Sequence, residues 1–378
     1  MRPQALKWLM LTSLALAGPE LALAQAPTCN QVLTPDCLYF PATEYAIGTE
    51  PPEVILDTVY RDISGMPRKV QMVLRIPRGG TGPLPVVIWS HGGADGKTNL
   101  DRIDDIMMEW SRATAKAGYL TVTLAHHSRD QASREALCAA APLGIDARTC
   151  KVFKYLNWDR PHDISAVIDE LERLNASGEF RGAMDLHRLA VGGHSAGSGG
   201  ALSIAGALRD FTGTALDLSD PRPAVFLAFS PQGPGSEGFF DTDFKKPDHS
   251  WMNVQRPVLI GTGDGDSTCN HLEEPGSCFG DSPYIRRLGF DRMPGGSKYR
   301  LYVHDADAFH TLFELKTSEC GTSKNVDRAK CDEIGRWLSS AALAFLDAHL
   351  KNDALALQWL RSSNVVNASG GVVEWSRK

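Results

Sequence analysis

Residues 186–208 read LHRLAVGGHSAGSGGALSIAGAL, and the fold is decided in this stretch. Leu186 to Val191 predicts a strand, Gly192 to Gly200 a glycine-rich turn, and Ala201 to Leu208 a helix. The turn holds Gly193-His194-Ser195-Ala196-Gly197, a G-x-S-x-G placed directly between strand and helix. Context makes this informative, since glycine and serine are common. So sharp a turn strains the backbone at Ser195, and flanking glycines let neighbouring chain come close. The hydroxyl is then raised above a sheet at a helix N-terminus, where a nucleophile is useful. The alternative is a structural glycine turn with an idle serine.

Outward from that turn, the chain alternates strand and helix signals. Residues 85–90 (PVVIWS) form a continuous apolar run, as expected of a strand buried on both faces. Val70, Met72, Leu74 and Ile76 alternate in period two, and residues 119–124, 224–229, 258–260 and 299–303 read as further strands. Helical spacing covers residues 101–117, a segment started by Pro161, and residues 332–350. Residues 126–160 break the alternation and read as a cysteine-bearing insertion. The pattern predicts one α/β domain with a mostly parallel central sheet and helices on both faces. Ligands of such sheets bind beyond the carboxyl ends of the strands.

The remaining sequence bounds the setting. Of 378 residues, 43% are hydrophobic and 22% charged, which excludes disordered and fibrous classes. A net charge of −6 with no basic block argues against a nucleic-acid partner. Arg2 and Lys7, an apolar run from Trp8 to Ala17, and Ala22-Leu23-Ala24 predict a secretory signal peptide over residues 1–24. The mature domain would be 25–378, exported to the periplasm or the medium, and no later run suits a membrane span. Eight cysteines form four neighbouring pairs, expected as disulfides Cys29–Cys37, Cys138–Cys150, Cys269–Cys278 and Cys320–Cys331. No C-x-x-C occurs, so no metal site is expected.

A serine nucleophile needs a base and an acid that orients it. Among the downstream histidines, His310 lies in a loop after the last predicted strand and is the preferred base, with His304 as alternative. The strand over 258–260 runs into Gly261-Thr262-Gly263-Asp264-Gly265-Asp266. Asp264 is the preferred acid and Asp266 the alternative. Either could instead be a turn former. Oxyanion donors are expected from the Ala196 amide and from Gly93, with Gly92 as alternative. His127 and Trp251 are the candidate substrate contacts, although an aromatic residue near a cleft is commonly core.

The chain resembles the α/β-hydrolase superfamily, and within it the esterases related to dienelactone hydrolase and platelet-activating-factor acetylhydrolase. The resemblance is carried by residues 85–93 (PVVIWSHGG), 160–171 (RPHDISAVIDEL), 188–197 (RLAVGGHSAG), 229–233 (FSPQG), 261–264 (GTGD), 310–313 (HTLF) and 345–351 (FLDAHLK). It implies a Ser–Asp–His carboxylic ester hydrolase without metal or cofactor, acting on a small-molecule or polymer ester. It also implies Asp264 as the acid, through the Gly-Thr-x-Asp pattern. The true dienelactone hydrolases use cysteine where this chain has Ser195, so lactone hydrolysis is not implied. Two other readings are a polyester or aromatic-ester hydrolase and a catalytically inactive binding protein on the same fold.

Overall fold

Eleven strands are found among the described residues: β1 (Val54–Arg61), β2 (Pro67–Arg75), β3 (Leu84–Ser90), β4 (Leu120–His126), β5 (Met184–His194), a short pair β6 (Arg209–Asp210) and β7 (Ala215–Leu216), β8 (Val225–Phe229), β9 (Val258–Gly263), β10 (Lys298–Val303) and β11 (Val373–Arg377). The computed structural model describes residues 26–29, 32–47, 54–93, 107–141, 143, 152–211, 215–233, 250–267 and 282–378. The expected signal peptide lies outside them, as do Cys150, Cys269 and Cys278.

Nine strands make one sheet in the order β1-β2-β4-β3-β5-β8-β9-β10-β11. From β4 to β10 every pairing is parallel, while β1, β2 and β11 add on antiparallel at the two edges. The chain is therefore α/β with a mostly parallel mixed sheet. The helices are α1 (Met108–Lys116), α2 (Gln131–Ala140), α3 (Val152–Ala176), α4 (Ala196–Ala205), α5 (Pro283–Arg292), α6 (Arg328–Leu350), α7 (Ala354–Leu360) and α8 (Asn364–Ala368).

Strand alternation sorts the core into two layers. On β3, Val87 and Trp89 face one way, into a cluster with Trp110 of α1 and Leu338, Ala342 and Phe345 of α6. Val86 and Ile88 face the other, against Ile164, Val167 and Ile168 of α3 and Leu202 of α4. A strand covered on both sides has no polar face, which is why its sequence is unbroken apolar. Trp89, Trp110 and Phe229 stack with ring centroids 4.3 to 6.3 Å apart.

Several boundaries differ from expectation. α3 does not begin at Pro161; it begins at Val152 and carries Pro161 inside it. Proline deletes one helix hydrogen bond, but Tyr155, Leu156 and Trp158 are buried with Leu137 of α2 and Phe211, and this packing carries the helix through. The segment 126–160 thus holds α2 and the start of α3. α4 begins at Ala196, immediately after the serine, rather than at residue 201. The edge strand β11 pairs with β10 over Val373–Arg377 and was not foreseen.

The chain leaves β3 for β4 on one side and returns to β5 on the other. The crevice between the carboxyl ends of β3 and β5 is the switch point where such sheets place ligands.

Candidate active site

Ser195 directly follows β5 and caps α4 with φ 53° and ψ −123°. This backbone is strained for a residue with a Cβ, and such strain clusters at functional positions. Hydrogen bonds at its amide and at its carbonyl hold it. The Ser195 amide donates to the Phe229 carbonyl at 2.9 Å, and the Ser195 carbonyl accepts from the Ser198 amide at 3.0 Å. Close packing sets the residues around it. A Cβ at Gly197 would lie 2.1 Å from the Ser90 carbonyl oxygen, and one at Gly92 would lie 3.1 Å from the Ser195 Cβ. The loop after β3 therefore rests directly against the serine.

His310 and Asp266 meet beyond β9 and β10. The His310 Nδ1 lies 2.8 Å from Asp266 Oδ1. Asp266 is fully buried, and His310 keeps part of its ring open. Thr262 donates to Asp266 Oδ2 at 2.8 Å, and Arg286 Nε stands 3.3 Å from Oδ1. Burial would raise this carboxyl, but Arg286 and the hydrogen bonds from His310 and Thr262 outweigh it and hold it below the usual range. A carboxylate kept ionised there fixes the imidazole proton on Nδ1 and leaves Nε2 as the acceptor.

The preferred acid, Asp264, is not the residue against His310. Its amide continues the β9 ladder by donating to the Val303 carbonyl, and its nearly half-exposed carboxylate accepts from the Tyr302 hydroxyl at 2.6 Å. The turn closed by the Asp266 amide on the Gly263 carbonyl then swings Asp266 inward. His304, the alternative base, pairs with Glu374 at 3.2 Å and stands 3.6 Å from Asp264.

The two proposed substrate contacts differ in placement. Trp251 is fully buried in the core with Val254 and Phe290, so it offers no surface to a ligand. His127 is half-buried immediately after β4. Burial, then Arg68 and Lys69, lowers its pKa, and its carbonyl accepts from Arg68. Sequence reasoning had no signal for Trp251, since a buried indole and a cleft indole look alike.

Two of the oxyanion candidates adjoin Ser195: Ala196 follows it in the chain, and Gly92 packs against its Cβ. Ala196 is the first residue of α4, so its amide has no partner within the helix. Gly92 and Gly93 lie in the loop after β3. Among the described residues, these three amides donate to no acceptor within the chain.

Several residues were missed from sequence. Arg286 on α5 holds the acid and also donates to the carbonyls of Ser230 and Pro231. The His194 Nε2 lies 3.0 Å from the His310 carbonyl, with the two rings 4.6 Å apart, so the residue before the nucleophile steadies the base. Burial, then the neighbouring His310, keeps His194 neutral. Behind the β3 loop sits a second Ser–His–Asp arrangement. The Ser90 hydroxyl is 2.8 Å from His126 Nε2, and His126 Nδ1 is 2.9 Å from Asp163 Oδ2. All three are sealed from solvent. Asp163 also receives two bonds from Arg68 and one from Tyr60. Burial and then Arg160 push the His126 pKa down to about 4, so the ring is neutral and accepts from Ser90.

Compared with protein-family models and with curated proteins, the chain finds no match. Among the described residues, no group of His, Cys, Asp and Glu is arranged to hold a metal ion. No helix of the described residues is long and apolar enough to cross a membrane. Disulfides join Cys29 to Cys37 and Cys320 to Cys331, and Cys138 is also disulfide-bonded. The second bridge ties the segment after His310 to the first turn of α6.

Proposed function

We propose that the chain is an α/β hydrolase that cleaves carboxylic esters through Ser195, His310 and Asp266. One observation carries this reading: a strained serine at the end of the central strand and a histidine oriented by a buried, ionised aspartate occupy the same end of one mostly parallel sheet. The order β1-β2-β4-β3-β5-β8-β9-β10 with β2 antiparallel supports the fold assignment. The chain order serine, acid, histidine supports the triad.

In the reaction, His310 Nε2 takes the Ser195 proton as Oγ attacks the ester carbonyl. Asp266 stabilises the imidazolium. The Ala196 amide and the loop amides of Gly92 and Gly93 receive the oxyanion. His310 then protonates the departing alkoxide, and water enters by the same path to release the acid. Export to an oxidising compartment fits this reading, because bridged cysteines persist there.

Fluorophosphonate labelling with peptide mapping, beside hydrolysis of p-nitrophenyl esters of rising chain length, tests the proposal. Label on Ser195 and loss of turnover in Ser195→Ala are expected. No label and no turnover would favour an inactive binding protein, and turnover in Ser195→Ala above about a tenth of wild type would reject the nucleophile.

A further inference from the structure

The loop that follows β3 is held from behind at three consecutive carbonyls. Arg160 donates to the His91 carbonyl through Nη1 and to the Gly93 carbonyl through Nη2, the latter at 2.7 Å. Between them, the Gly92 carbonyl lies 2.5 Å from the Nδ1 of the His91 ring. That ring is itself held, since His91 Nε2 accepts the His126 amide at 3.1 Å. The bonds agree on one tautomer. An Nε2 that accepts an amide leaves the ring proton on Nδ1, where it can be donated to Gly92. Burial and then the Arg160 charge keep His91 neutral, as this pattern requires.

Peptide units transmit this anchoring to the other side of the loop. The described chain has no cis peptide bond, and in a trans unit the carbonyl and the amide that follows it point in opposite directions. Tying the His91 carbonyl therefore sets the direction of the Gly92 amide, and tying the Gly92 carbonyl sets that of Gly93. Gly92 is also where the loop touches Ser195. Glycine supplies no side chain to hold such a loop, so its direction must come from outside.

We propose that Arg160 is the positioning residue of the oxyanion loop, holding the His91 and Gly93 carbonyls so that the loop amides face the tetrahedral intermediate formed on Ser195. The proposal rests on the ester-hydrolase reading. Arg160 sits in α3, is 1% exposed, and reaches the loop because α3 runs close over α4. A Cβ at Gly200 would lie 3.2 Å from the Arg160 Cβ, so the small residue on α4 permits that approach. A lysine could satisfy one carbonyl but not both, because only guanidinium presents a fixed fork of donors.

The test pairs ester kinetics with inhibition by an alkyl trifluoromethyl ketone. When Ser195 adds to that ketone, its Oγ bonds to carbon, the carbonyl electrons become an oxyanion, and the serine proton passes to His310. The adduct therefore reads the hole directly. Arg160→Met should lower kcat on the order of 10²-fold, the scale of a misplaced catalytic group, and should weaken ketone inhibition by a similar factor. KM should stay within about threefold, since ground-state binding is not involved. Arg160→Lys should fall between wild type and Arg160→Met in both readouts, and it decides the question if Arg160→Met does not fold. Arg160→Met folded with kcat within about threefold of wild type, Arg160→Lys indistinguishable from wild type, or a loss of kcat with ketone affinity unchanged, overturns the proposal. A wild-type protein that neither turns over esters nor binds the ketone refutes the ester-hydrolase reading, and the proposal with it.

Discussion

Replacing Asp266 by asparagine separates the charge of the acid from its orienting role. Oδ1 faces two donors, His310 Nδ1 at 2.8 Å and Arg286 Nε at 3.3 Å, while Oδ2 accepts from Thr262 at 2.8 Å. An asparagine offers one oxygen and one amino group. Arg286 has only donors and rejects the amino group, whereas the Thr262 hydroxyl can rotate to accept it. The oxygen therefore stays towards His310, the imidazole keeps its proton on Nδ1, and Nε2 remains able to take the serine proton. What disappears is the negative charge. A hydrogen bond to a charged partner contributes about 1.5–3 kcal/mol, which corresponds to roughly ten- to 150-fold in kcat. Asp266→Ala removes the orientation as well and should cost about 10⁴-fold. Asp264→Asn changes a nearly half-exposed carboxylate bonded to Tyr302 and should leave kcat within about twofold. Steady-state hydrolysis of a p-nitrophenyl ester, normalised by titration of reactive serine, measures all three. A larger loss in Asp264→Asn than in Asp266→Asn would refute the assignment. Equal losses in Asp266→Asn and Asp266→Ala would refute the argument from Arg286.

Gly197→Ala would put a methyl group 2.1 Å from the Ser90 carbonyl oxygen, so the variant should be insoluble or inactive; a soluble, fully active protein would show that the turn is looser than described. Burial holds His126 and His349 at about 4, against about 6.5 when unfolded, so the unfolded chain binds more protons between those values. Stability should therefore fall as pH drops from about 6.5 towards 4, with a further loss below that as the depressed carboxylates of Asp163 and Asp266 protonate. Urea midpoints between pH 7 and 4 check this, and a flat profile would count against it. Replacing Cys320 and Cys331 together by serine opens a bridge between residues 11 apart and should cost about 2–3 kcal/mol. A thermal midpoint unchanged from wild type would contradict that figure.

The sheet was legible because its strands obey simple burial rules. Residues 85–90 are apolar throughout because β3 is covered on both faces, and Ser195 was legible because G-x-S-x-G fell between strand and helix. The choice between Asp264 and Asp266 was not, since two aspartates around one glycine differ only in how the turn closes. That closure depends on the Asp264 amide bonding to Val303, some forty residues away in sequence and in the next strand. α3 was misplaced for a similar reason: proline marks a local preference, and the packing of Tyr155, Leu156 and Trp158 overrides it. Arg160 stood in view within residues 160–171, yet its role depends on two carbonyls nearly seventy positions upstream. Long-range partners of this kind leave no mark on local periodicity.

The sealed trio of Ser90, His126 and Asp163 gives the molecule its own internal control. It has the same atom-to-atom connectivity that defines a catalytic triad, with Nε2 on a serine hydroxyl and Nδ1 on a buried carboxylate. Ser90 has no left-handed backbone, lies wholly inside the protein, and belongs to a strand rather than a turn. Under the proposed function, one chain thus carries two serines to compare with a fluorophosphonate, Ser195 at its strained turn and Ser90 sealed beside His126. Any difference in their labelling measures what access, backbone strain and waiting amides add to connectivity alone.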